Sequence, residues 1–289
     1  MYDISTFNKG MVFMAKRNAK LAFIGGGNMG GAIIRGLVSS GAVSASDITV
    51  CCKSSQCYPS YRAIGVSTAD SIASAVADAD YVFLCVKPVN FPEVVAECRK
   101  ASELPSNAIF VSIAASVTSK LICRYAGAEV PVIRTMPGMP LQIGEGTVAV
   151  CKNDLVDNKS FAYVCRLLSS VATVSVMEED LLNPIISVNG SSPAYVFLLV
   201  QAMLEGAKEQ GISEKQALPL ITKTIIGSAK MIEQSSLSPE EEIRRVCSPG
   251  GTTLEAMKVF EEAGFTEIVK NAMNACTKRA NEITESLES

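Results

Sequence analysis

The run Leu21-Ala22-Phe23-Ile24-Gly25-Gly26-Gly27-Asn28-Met29-Gly30-Gly31 decides the fold. Its first four residues form an apolar segment too short for a helix. Its end opens a stretch of helical periodicity that places Ile33, Ile34 and Leu37 on one face and stops near Gly41. Between the two stands Gly25-x-Gly27-x-x-Gly30. The first glycine suits a tight turn, and the second lets a pyrophosphate approach the backbone. The third lets helix and strand pack closely, while the free amides of the helix start face the phosphates. Three glycines alone could be a loop. A strand before them, a helix after them and their place at the start of a domain read as a dinucleotide site, with Gly25, Gly27, Asn28, Met29 and Gly30 as its residues.

Outward from this run the pattern repeats. Ile48 to Cys51, Tyr81 to Val86, Ala108 to Ser112, Val130 to Arg134 and Ala172 to Val176 read as further strands, with a polar helix starting near Asp70-Ser71. Strands separated by helices imply a Rossmann-like, doubly wound, mostly parallel sheet. The second strand runs into Cys52-Lys53-Ser54-Ser55. A site for NAD wants a carboxylate there, and Asp47 lies at the wrong end of the strand. A cation and hydroxyls at Lys53, Ser54 and Ser55 suit a 2′-phosphate instead, so NADPH is expected, with NADH a weaker possibility. Ligands of such sheets bind outside the carboxyl ends of the strands. Val86, Lys87 and Pro88, Ala114 and Ala115, and Met136 and Pro137 therefore ring the expected nicotinamide position, although each could equally be strand-to-loop punctuation.

Beyond Met177-Glu178-Glu179-Asp180 the strand signal stops and the rest reads as helix. The expected organisation is an extension over residues 1–19, read as disordered, a dinucleotide-binding domain over 20–177 and a helical domain over 178–289. Met14 could be a second start. Ser191-Ser192-Pro193 starts one helix, and Ser213-x-x-Gln216 is a capping box for a second that is apolar round much of its circumference. In so small a domain its expected cover is another subunit. Ser248-Pro249-Gly250-Gly251-Thr252-Thr253 is a second glycine-rich turn into a helix, a nest of amides suited to a small anion such as a substrate carboxylate. Ser248, Gly250, Gly251, Thr252 and Thr253 are the candidate substrate residues, with Glu179 counted among them. A loop with an ordinary helix cap is the alternative.

Composition narrows the chemistry. Hydrophobic residues make up 48% of the 289, charged residues 19%, and the net charge is −3, a globular balance that excludes disorder. No apolar run approaches the ~20 residues of a membrane span. The doublet Arg244-Arg245 follows three glutamates, so no nucleic-acid footprint is visible. There is no histidine, which removes serine–histidine triads and histidine-ligated metals. Ten cysteines form no C-x-x-C and read as reduced residues of a cytoplasmic protein, with no metal site.

Together, Ile24 to Gly30, Val86-Lys87-Pro88, Val132 to Pro137, Gly190 to Tyr195 and Ser248 to Thr253 resemble the delta-1-pyrroline-5-carboxylate reductases, over roughly Lys20 to Glu282. The last two motifs are highly specific. The resemblance implies NADPH-dependent reduction of 1-pyrroline-5-carboxylate to L-proline, the last step of proline biosynthesis. It also implies an interlocking helical dimerisation unit, an active site shared between subunits, and a catalytic hydroxyl at Thr253 that meets the ring nitrogen. Two positions depart from the family pattern: Gly138 stands where asparagine is usual, and Asn189 where a serine or small residue is usual. The chemistry suits a chain without histidine, because a cyclic imine arrives protonated and needs positioning more than an acid. Reduction of a related cyclic imine, a beta-hydroxyacid-type dehydrogenase and a non-catalytic NADPH-binding regulator are the other readings. The dehydrogenase class carries a lysine early in its helix after a glycine-serine motif; here none follows Ser192 before Lys208.

Overall fold

The computed structural model describes residues 19–102 and 104–289. The extension expected over 1–19 therefore lies outside the described residues apart from Ala19. The described residues form two compact units, one running from Ala19 to Ser191 with Cys276 to Ser289 and one from Ser192 to Ala275.

In the first unit, β1 (Leu21–Ile24) leads into α1 (Asn28–Ser39), followed by β2 (Ile48–Cys51), α2 (Tyr58–Arg62), β3 (Ser67–Ala69) and α3 (Ile72–Val76). Then come β4 (Tyr81–Leu84), α4 (Phe91–Lys100), β5 (Ile109–Ser112), α5 (Ser119–Ala126), β6 (Val132–Pro137), β7 (Gly146–Lys152), α6 (Asn158–Ser169) and β8 (Ala172–Val176). The eight strands form one sheet in the order β3-β2-β1-β4-β5-β6-β7-β8. Every neighbouring pair is parallel except β6 and β7. This is the doubly wound sheet expected from the sequence, with its reversal of strand order between β1 and β4.

Successive residues of β1 serve opposite layers, as the period of a strand requires. Leu21 and Phe23 pack with Ile33, Ile34 and Leu37 of α1 and with Val164, Leu167 and Leu168 of α6. Ala22 and Ile24 pack with Phe91, Val94 and Val95 of α4 and with Leu121 and Ile122 of α5. Full burial of a side chain such as Ile33 or Leu37 contributes about 1.5–3 kcal/mol, so the apolar stripe of α1 alone holds that helix on the sheet. Ser71, Thr118 and Asp157 accept hydrogen bonds from the first-turn amides of α3, α5 and α6, which sets where these helices start.

Two strands go beyond the sequence expectation. β3 has only three residues, too few to show a period. β7 runs antiparallel after a short connection, and its apolar Val148 to Cys151 fills the sheet beside β6. The boundary expected at 177/178 also differs from the compact division at 191/192, because the segment after β8 packs back on the sheet. Leu182 is buried with Ala149 and Cys151 of β7.

The second unit is helical, with α7 (Ser192–Glu209), α8 (Glu214–Gln234), α9 (Pro239–Val246), α10 (Thr252–Glu262) and the first part of α11 (Phe265–Glu288). The capping box of Ser213 and Gln216 forms as read. Arg244 and Arg245 pair with Glu240 and Glu242 on α9; both arginines are exposed, while Glu242 is buried. Large apolar residues stand open in this unit, among them Phe197, Leu198, Leu220 and Val259. Among the described residues no helix is long and apolar enough to cross a membrane.

Candidate active site

The glycine loop sits at the carboxyl edge of the sheet, between β1 and α1. Gly25 has φ +103°, and a Cβ there would stand 2.5 Å from the carbonyl oxygen of Cys85, so only glycine makes this turn. A Cβ at Gly30 would stand 2.5 Å from the Gly25 carbonyl oxygen, which fixes how closely α1 approaches β1. At Gly27 the opposite holds: nothing lies within 4 Å of an added Cβ. The loop is therefore closed on its inner side and open where the helix starts, which is the cradle a pyrophosphate needs. Asn28 is exposed and Met29 half-buried in the first turn of α1.

Parallel pairing brings the other candidate residues to the same edge. Ile24, Leu84 and Ser112 share a register across β1, β4 and β5, and Ser112 pairs with Arg134 of β6. Val86, Lys87 and Pro88 follow β4, Ala114 and Ala115 follow β5, and Met136 and Pro137 end β6. The pair after β5 divides: Ala114 is turned into the core, while Ala115 is half-buried. Lys53, Ser54 and Ser55 are exposed beyond β2, and Ser54 also accepts a weak hydrogen bond from the Gln56 amide. Beside them the Cys52 thiol is pushed up to about 12, by burial first and then by the Cys57 thiol, so it is no nucleophile at neutral pH.

Tyr61, which no motif marks, holds this region together. Its hydroxyl donates to the Gly26 carbonyl oxygen at 2.7 Å, 35 residues away. Tyr58 does the same for the end of β3, donating to Ala69 at 2.6 Å.

Glu179 takes a different place from the substrate role expected of it. Its carboxylate accepts from the Ser119 amide at 2.7 Å, from the Ser119 hydroxyl at 2.6 Å and from the Arg134 guanidinium at 2.9 Å. Burial works to raise this carboxyl, but the Ser119 bonds and Arg134 outweigh it and hold it below the ordinary value. Both oxygens are engaged, and Arg134 is only 4% exposed, so Glu179 neutralises a buried cation and caps α5.

In the second unit, Gly250 has φ +72° and the Gly251 amide donates to the Ser248 carbonyl at 2.9 Å. Gly251 is the N-cap of α10, so Thr252 and Thr253 are its first two residues and Thr252 is not the cap. Among the described residues neither their amides nor their hydroxyls have a partner within the chain. The turn thus presents free donors and a half-buried Thr253 hydroxyl.

The pyrroline-5-carboxylate reductase of Escherichia coli K12 is 36% identical over 268 residues, covering 92% of this chain and 99% of its own. The chain belongs to the pyrroline-5-carboxylate reductase family. The family model for pyrroline-5-carboxylate reductase dimerisation matches residues 179–283, and one for NADP oxidoreductase, coenzyme F420-dependent, matches residues 20–116. The solved pyrroline-5-carboxylate reductase of Coxiella burnetii superposes with a TM-score of 0.87 at 31% identity, over 93% of this chain and 99% of that one. The Plasmodium falciparum pyrroline carboxylate reductase, solved with NADP bound, shares the fold with a TM-score of 0.84 at 22% identity, over 93% and 100%.

The two departures from the reductase family pattern meet in space. A Cβ at Gly138 would stand 2.7 Å from the Asn189 carbonyl oxygen, so no larger residue fits while the turn Ile186–Gly190 lies there. Asn189 in turn donates its side-chain amide to the Met136 carbonyl at 2.9 Å.

Proposed function

We propose that this member of the family reduces 1-pyrroline-5-carboxylate to L-proline with NADPH, as the last step of proline biosynthesis. The observation that carries the reading is the turn Ser248 to Thr253. Its free amides suit a small carboxylate, and the unbonded Thr253 hydroxyl suits a ring N–H. The Gly25–Gly30 cradle and the residues at the strand ends, Val86 to Pro88, Ala115, Met136 and Pro137, suit the cofactor, with the Ala114 backbone beneath the ring.

Bound NADPH supplies a hydride for the imine carbon. The amides of Thr252 and Thr253 orient the substrate carboxylate, and Thr253 aligns the ring nitrogen. The proton already on that nitrogen stays there, so the chain needs no general acid, in keeping with its lack of histidine. The open apolar faces of α7, α8 and α10 pair with a second copy of the chain. Ten unpaired thiols suit the reducing cytoplasm.

Purified protein is expected to oxidise NADPH when a five-membered cyclic imino acid is supplied, and not with open-chain 2-keto or 2-hydroxy acids. Turnover of the keto acid without turnover of the imine would overturn the reading. Lys53 is exposed, so its contribution to the 2′-phosphate is modest. Lys53→Ala is expected to raise KM for NADPH about 3-fold and leave KM for NADH unchanged. Equal losses for both would show that Lys53 does not meet the 2′-phosphate.

A further inference from the structure

We infer that Arg35 of α1 is a second determinant of the cofactor's 2′-phosphate. The inference rests on the NADPH reading above and adds a residue from a different element. Helical side chains lean toward the N-terminus of their helix, and Arg35 leans back over Gly31. A Cβ at Gly31 would stand 3.0 Å from Arg35 Nη1 and 2.7 Å from the Tyr61 hydroxyl, so the guanidinium and that hydroxyl both lie against the bare face of the glycine. The same Tyr61 hydroxyl would stand 2.8 Å from a Cβ on Gly26, which in turn would meet the Cys52 sulfur at 2.7 Å. The Tyr61 hydroxyl thereby links Arg35 to the glycine loop and to Cys52, which Lys53, Ser54 and Ser55 follow in the chain.

Its electrostatic situation points to an anion. Among the described residues Arg35 has no ion pair and no hydrogen bond, and it is exposed. A cation folded toward the positive end of a helix dipole is unfavourably placed unless a negative group joins it. Lys53 is likewise without a carboxylate partner among the described residues. A guanidinium from the helix side and an ammonium with two serines from the strand side make a two-sided site for a phosphate monoester, and a planar guanidinium can bind its oxygens in pairs. A ribose carrying only hydroxyls offers this site no charge.

Calorimetric titration of the full-length protein with NADP+, NAD+, 2′,5′-ADP and 5′-AMP tests the inference without turnover. In Arg35→Met, which keeps the apolar stem, the NADP+ over NAD+ preference should fall about 5-fold, and 2′,5′-ADP should weaken by the same factor. Binding of NAD+ and 5′-AMP should not change. If Arg35→Met weakens all four ligands equally, or none, the inference fails while the NADPH reading stands. If the unsubstituted protein has no preference for NADP+, the cofactor reading itself falls and the inference with it.

Discussion

Glu179→Ala is expected to lower the free energy of unfolding by about 3 kcal/mol, the low end of what removing one partner of a buried pair costs. Arg134 is nearly inaccessible at 4% exposure, and its guanidinium has Glu179 as its carboxylate. Without that carboxylate a buried charge is left unpaired, and the Ser119 amide at the start of α5 loses its acceptor. The low end applies because Glu179 keeps a third of its side chain in water. Urea titrations read the loss directly. A double replacement, Arg134→Met with Glu179→Leu, should recover most of it, because no charge then remains inside. A loss below about 1 kcal/mol for Glu179→Ala would show that water solvates Arg134. The pair also sets a pH dependence. The folded-state value of Glu179 lies below the unfolded value, so its contribution is present above the unfolded carboxylate range, near pH 4.3. It is lost as pH falls through the lower folded value. Glu179→Gln should therefore show a shallower fall in stability below about pH 4. KM for the imine should be nearly unchanged in the folded variants.

Thr253→Ala is expected to lower kcat/KM for the imine roughly 10- to 100-fold, from the loss of a hydrogen bond to a charged ring nitrogen. Its melting temperature should stay close to that of the unsubstituted chain. Gly251, not a threonine, occupies the N-cap of α10, and the Thr253 hydroxyl has no partner within the chain among the described residues. Removing it therefore leaves no buried group unsatisfied. NADPH binding, measured by calorimetry, should be unaffected. A variant that melts several degrees lower yet keeps its kcat/KM would make Thr253 structural and remove it from the site.

Some of this was legible before any coordinates. The glycine spacing of 25–30, the apolar stripe of α1 and the capping box of Ser213 are local signals, complete within a dozen residues. Backbone geometry ties them directly to a turn, a helix face or a helix start, so tertiary context had little room to change them. The strands after β1 were legible for the same reason, except β3, which is too short for any period, and β7, whose antiparallel return follows no βα rhythm.

The rest depends on which strands lie side by side. Glu179 read as one of the substrate residues, but pairing of β5 with β6 and the start of α5 place Arg134 and Ser119 against it, 45 and 60 residues away. Gly138 and Asn189 read as two separate departures, yet the turn after β8 seats one on the other. Tyr61 carries no motif, and only the register of β1 with β2 brings it under Gly26. The sequence by itself determined the fold class, the family and the two glycine-rich helix starts, because periodicity and turn chemistry act over short stretches of chain. Only the tertiary structure decided which charges neutralise each other and which are left for a ligand. The energy of a charge depends on its neighbours across the sheet, and spacing along the chain does not record them.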